Sequence, residues 1–123
     1  MRIIIDLDNT LTHEDILVPY EEKIPNTKVI NKLREYKNLG FGITIYSSRN
    51  MNTYKGNIGI INVETIPKII QWLEKNNVPF DEVIIGKPWC GEEGFYVDDK
   101  AIRPKEFVDL TYEQIQFIVN SKQ

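Results

Sequence analysis

The feature that most constrains this chain is the passage from Arg2-Ile3-Ile4-Ile5 straight into Asp6-Leu7-Asp8-Asn9-Thr10-Leu11. Three consecutive β-branched residues followed at once by an acidic, turn-prone segment read as a buried, parallel-type strand ending in a loop. In extended chain, residues two apart point to the same side, so Asp6 and Asp8 converge while Leu7 turns back into protein. Carboxylates at that spacing repel each other unless a cation or a shared proton lies between them, so the segment calls for a metal ion.

Strand and helix patterns alternate through the rest of the chain. Residues 12 to 25, punctuated by Pro19 and Pro25, read as an excursion over the sheet edge, a small flap without a core of its own. Asn26 is placed to cap a helix in which Val29, Ile30, Leu33 and Tyr36 recur at helical spacing up to Gly40. Phe41 to Tyr46 reads as a second strand, delivering Ser47-Ser48-Arg49-Asn50 to its C-terminal end. Residues 51 to 63, with Gly56 and Gly59, read as a loop. Thr65 then caps a helix with the buried stripe Ile66, Ile69, Ile70 and Leu73, ended by Asn76 and Asn77.

Glu82-Val83-Ile84-Ile85 predicts a third strand stopped by Gly86-Lys87-Pro88, and Phe95-Tyr96-Val97 a fourth leading into Asp98-Asp99. The residues from Pro88 to Gly94 span at most ~25 Å when extended, whereas a parallel crossover normally takes a dozen residues or more. The last strands are therefore short or unusually arranged. A last helix starts at Thr111, whose partner Gln114 completes a capping-box pattern. The alternation predicts an α/β fold with a mainly parallel sheet, in which ligands bind beyond the C-terminal ends of the strands. Asp6 with Asp8, Ser47 to Asn50, Lys87, and Asp98 with Asp99 all fall at such ends.

At 123 residues the chain reads as a single domain over 1–123, with room for one core and not for a second. A net charge of −3 gives no general attraction to nucleic acid or anionic lipid. The single Cys90 and single His13 exclude an internal disulfide, a cysteine-rich zinc site and a histidine cluster. No long apolar run is present, and Asp6 arrives too soon for a signal peptide, so a reducing, cytoplasmic setting and no membrane partner are expected.

Four separated segments delivering two carboxylates, a hydroxyl, a lysine and two more carboxylates resemble the haloacid dehalogenase superfamily of phosphatases. Asp6-Leu7-Asp8-Asn9-Thr10 is similar to its first motif, Ser47 to its second, Lys87 to its third and Asp98-Asp99 to its fourth. The resemblance implies a three-layer, Rossmann-like fold, here without a cap domain, and a catalytic set of Asp6, Asp8, Ser47 and Lys87. Asp6 would attack phosphorus to form an aspartyl phosphate, and Asp8 would act first as acid and then as base. Mg2+ would be held by the Asp6 carboxylate, the Asp8 main-chain carbonyl and Asp98 or Asp99. Ser47 and Lys87 would grip the phosphoryl oxygens.

The segments around Ser47-Ser48-Arg49-Asn50-Met51, Gly86 to Gly91 and Tyr96 to Pro104 further resemble a compact, capless subgroup found with bacterial capsule and surface-polysaccharide biosynthesis. That implies a small phosphorylated metabolite, such as a sugar phosphate, as substrate. Thr10, Arg49, Asn50, Tyr54, Trp89 and Arg103 are candidate contacts to it; surface or packing roles compete for each. Without a cap, the site stays open unless the flap, the 51 to 63 loop or a neighbouring subunit covers it, and homo-oligomerisation is left open. Two alternatives stand beside the phosphatase reading: a non-catalytic or receiver-like module that binds phosphate, and an end-processing phosphatase on nucleic acid, which the acidic balance disfavours.

Overall fold

The computed structural model describes residues 1–121. The chain divides into two compact units, Met1–Trp89 and Cys90–Gln123. The first holds a sheet of three strands, β1 (Arg2–Ile5), β2 (Gly42–Ser47) and β3 (Glu82–Ile85), in the order β1-β2-β3. Both pairings are parallel, with Ile5 level with Ile45 and Ser47 level with Ile85. Each parallel step needs a long crossover. Helix α1 (Thr27–Asn38) supplies the first, and α2 (Ile58–Glu64) with α3 (Ile66–Lys75) the second.

Parallel register puts residues of equal parity on one face. One face carries Ile3, Ile5, Ile43, Ile45, Ser47, Val83 and Ile85, with Ile43 and Ile45 fully buried. Val29, Ile30, Leu33 and Tyr36 of α1 and Ile69, Trp72 and Leu73 of α3 are the buried stripes of their helices, and they complete the core. The other face carries a polar ladder. Arg2 Nη1 donates to Thr44 Oγ1 at 2.6 Å, Thr44 Oγ1 donates to Glu82 Oε1 at 2.6 Å, and Arg2 pairs with Glu82 at 3.0 Å. On that face Ile4 and Ile84 stay exposed. The architecture is mixed α/β around a small, open parallel sheet, as the alternation of patterns predicts.

Asn26 caps α1 by accepting from the Val29 N–H. Gly40, at φ +96°, takes the left-handed conformation after the helix that a side chain would resist. Residues 12 to 25 form the expected flap, closed at its base by an antiparallel bridge between Thr12 and Pro25 and carrying a single 3-10 turn, Tyr20–Glu22.

Two expectations are corrected in this region and the next. Residues 51 to 63, read as a loop, contain most of α2. Asn57 caps it through the Ile60 N–H at 3.1 Å and Ile61 is fully buried, which outweighs the cost of Gly59 inside it. No strand forms over Phe95-Tyr96-Val97 among the described residues. All three side chains are exposed, so no burial rewards pairing, and the short connection from Pro88 to Gly94 leaves no room for a crossover helix.

The second unit holds α4 (Pro104–Asp109) and α5 (Tyr112–Val119). α5 opens on the predicted capping box, with Thr111 Oγ1 accepting from Gln114 N–H at 3.2 Å and Gln114 Oε1 from Thr111 N–H at 2.9 Å. No helix of the described residues is long and apolar enough to cross a membrane.

Asp81 fixes the entry of β3 against β2. Its N–H donates to Ile43 C=O at 2.8 Å, its Oδ2 accepts from Ile43 N–H at 2.7 Å, and its Oδ1 pairs with Lys37 at 2.6 Å. The Lys37 hydrogen bond, then that from Ile43, holds the Asp81 carboxyl below its ordinary value of 3.8. A carboxyl lowered on folding adds stability above its unfolded value and loses it as pH falls through the folded one. Asp81→Asn is therefore expected to unfold at lower urea than wild type at neutral pH, with the gap closing below pH 3.8.

Candidate functional site

The chain leaves β1 at Ile5 and turns tightly around Leu7, whose side chain is fully buried. The Leu7 carbonyl accepts from the N–H groups of Thr10 (3.3 Å), Leu11 (2.9 Å) and Thr12 (3.2 Å). Asn9 takes the left-handed conformation at φ 59°, which asparagine tolerates, and its N–H donates to Thr12 Oγ1 at 3.0 Å. Asp6 and Asp8 thus flank a buried anchor, both partly exposed.

At the end of β2, Ser47 is buried, its Oγ accepting from Arg49 N–H at 3.0 Å and its C=O from Lys87 N–H at 3.2 Å. That last bond carries the β2–β3 register past the strand end and brings Lys87 Nζ to 3.9 Å from Asp6 Oδ1. Gly86 makes the turn between Ile85 and Lys87 at φ +87°; a Cβ there would also stand 2.9 Å from Ile58 Cδ1.

Arg49 is the side chain that organises this edge. Its side chain is 1% exposed, and its Nε and Nη2 donate to Asp8 Oδ2 (3.0 Å) and Oδ1 (2.7 Å), a bidentate fork. Its guanidinium carbon lies 4.1 Å from the centroid of the Tyr20 ring, and its Nη1 is buried without a hydrogen-bond partner. Of the Arg49 side-chain donors, Nε and Nη2 both serve Asp8, because the fork matches a carboxylate.

Tyr20 comes from the flap, which is tied down at several points. Trp72 Nε1, on α3, donates to Lys23 C=O at 2.8 Å, His13 N–H to Ile24 C=O at 2.8 Å, and Lys68 pairs with Glu21 at 3.4 Å.

The electrostatics follow from this packing. Burial pushes the Asp6 carboxyl above its ordinary value of 3.8, with the Asp8 charge adding to it, while Lys87, the Leu7 N–H and Arg49 pull the other way. Burial, then the Asp8 charge, raises the Tyr20 phenol, opposed by Arg49.

The first unit brings Asp6, Asp8, Ser47 and Lys87 to one edge of the sheet, together with Arg49. Thr10 is half-buried in the Leu7 turn. Asn50, at φ 64°, accepts at Oδ1 from Thr65 Oγ1 (2.7 Å), so its amide braces its own loop. Tyr54 is half-buried and Trp89 exposed. Asp98, Asp99 and Arg103 belong to the second unit, all exposed; Asp98 Oδ1 accepts from Lys100 N–H at 2.8 Å, and Arg103 N–H donates to Glu106 Oε1 at 2.8 Å. Sequence reasoning missed Thr12 and Tyr20. The only signal for Tyr20 was an aromatic beside Pro19 in a segment bridging Asp8 to α1.

The edge offers hard oxygen donors in the Asp6 carboxylate and the turn around Asp8. Among the described residues no group of three Asp, Glu, His or Cys side chains is poised to hold a metal. This donor set fits Mg2+, which takes one or two carboxylates and leaves its other positions to waters and phosphate, and it does not fit an all-protein cage.

Fold and site together define an α/β protein whose parallel sheet presents two aspartates, a serine and a lysine at its C-terminal edge. A crystal structure of a structural-genomics target from Vibrio cholerae is 49% identical, covering 96% of this chain and 95% of that one, with a TM-score of 0.92. The chain belongs to the same family as that Vibrio cholerae protein. A chain in the structure of a Pnkp1/Rnl/Hen1 complex shares the fold at 22% identity and a TM-score of 0.51, over 88% of this chain and 34% of that one. No family model matches the chain, and no curated protein matches it.

Removing one partner of a buried ion pair strands the other. Arg49→Met is expected to cost on the order of 3 kcal/mol in urea unfolding, the low end for such pairs because the Asp8 side chain is 30% exposed.

Proposed function

We propose that this chain is a Mg2+-dependent phosphomonoesterase of the haloacid dehalogenase type, its sheet and helices being the core of a three-layer, Rossmann-like fold. The observation that carries the reading is the meeting of Asp6 with Lys87 at 3.9 Å beside an Asp8 held by both oxygens. A carboxylate flanked by a cation suits attack on a phosphoryl group, and a second carboxylate of fixed direction suits proton transfer.

In this reading Asp6 Oδ attacks phosphorus as the bond to the ester oxygen breaks, and Asp8 gives that oxygen its proton. Water then attacks the aspartyl phosphate, giving its proton to Asp8 and releasing phosphate and the Asp6 carboxylate. Lys87 and the Ser47 hydroxyl offset charge on the phosphoryl oxygens. Mg2+ would be held by the Asp6 carboxylate and the Asp8 carbonyl, with water and phosphate oxygens in its other positions. Bound there, it neutralises phosphate charge that would repel the nucleophile. The substrate class we propose is a small phosphorylated metabolite, a sugar phosphate of capsule or surface-polysaccharide synthesis, met in the cytoplasm.

Phosphate release from a panel of sugar phosphates, amino-alcohol phosphates, nucleotides and p-nitrophenyl phosphate tests this. Release is expected with Mg2+, lost with EDTA, and abolished in Asp6→Asn, which removes the nucleophile with little change of volume and leaves the fold intact by circular dichroism. Phosphate binding without release by folded wild type would instead make the protein a phosphate-binding module.

A further inference from the structure

Resting on the phosphatase reading, we infer that Arg49 and Tyr20 are positioning residues for Asp8: the fork sets the plane of its carboxyl group, and the flap tyrosine holds the fork in place. Asp8 sits on a turn and its side chain is 30% exposed, so nothing in its own segment fixes its torsions. Two N–H groups from one rigid guanidinium do so, because they align both carboxyl oxygens at once.

Arg49 is itself immobilised from three sides. Its N–H is tied to Ser47 Oγ, the next residue is locked by Thr65, and the Tyr20 ring covers the guanidinium face at 4.1 Å. A buried ion pair is often no more stabilising than apolar residues of the same volume. The geometry serves the carboxyl group instead. When one Asp8 oxygen carries the proton destined for the leaving group, the other keeps its N–H from Arg49, so the direction of transfer is retained.

An acid matters most when the leaving group is poor, so the test compares esters. For a sugar phosphate that wild type hydrolyses and for p-nitrophenyl phosphate, kcat/KM is measured in wild type, Arg49→Lys, Tyr20→Leu, Asp8→Asn and Asp8→Asn/Arg49→Lys. Arg49→Lys keeps the charge and loses the fork. It is expected to lower kcat/KM for the sugar phosphate about tenfold more than for the aryl ester, a fraction of what a general acid contributes. Tyr20→Leu shifts the same ratio in the same direction by less, and in the Asp8→Asn background Arg49→Lys adds nothing further.

Equal losses on both esters, or an Arg49→Lys effect that persists without Asp8, overturn the positioning role and leave the phosphatase reading standing. Should Arg49→Lys fail to fold, Tyr20→Leu, on the flap and 38% exposed, decides alone: an unchanged ester ratio overturns the role. No release by wild type from any ester of the panel overturns both readings.

Discussion

Because Ile5 lies level with Ile45 and Ser47 with Ile85, the chain leaves all three strands at one edge, and every group at the site inherits its place from that register. A slip of one residue would exchange the faces, sending Ile43, Ile45 and Ser47 to the side that carries Thr44 and Tyr46. Asp81 opposes such a slip between β2 and β3, since its N–H and carboxylate grip both polar groups of Ile43. At the other end, the Lys87 N–H on Ser47 C=O continues the pairing into the site. The polar ladder of Arg2, Thr44 and Glu82 adds side-chain pairing across all three strands.

On this frame the Arg49–Asp8 pair links elements far apart in sequence. It joins the turn after β1 to the turn after β2, and through Tyr20 it reaches the flap, which α3 secures through the Trp72 indole. A side chain of the flap thereby stands against the group that holds Asp8. Burial of the guanidinium makes the link sensitive to loss of either partner.

Much of this was legible in the sequence, for physical reasons that differ by element. β1, β2, β3, α1 and α5 carry strong local signals: β-branched runs, a four-residue stripe from Val29 to Tyr36, and caps at Asn26 and Thr111. α2 was hidden because Gly59 and a single buried residue, Ile61, leave a seven-residue helix with no period to read. Phe95-Tyr96-Val97 has strand propensity without a neighbour to pair, and propensity alone does not make a strand. That Asp6, Asp8, Ser47 and Lys87 fall at one edge was legible because each lies at or just after the end of a strand in a parallel sheet. The pairing of Arg49 with Asp8 was not, since the two lie 41 residues apart and a buried arginine reads like an exposed one in sequence.

The central claim is that Asp6 is the nucleophile. Acid quenching of wild-type protein turning over p-nitrophenyl phosphate with Mg2+, followed by mass spectrometry of its peptides, tests this directly. The account predicts a phosphoryl group on the peptide that contains Asp6, absent from Asp6→Asn and increased in Asp8→Asn, where the base that completes hydrolysis is missing. Steady turnover with no phosphoryl group on Asp6, or with one on another residue, would contradict it.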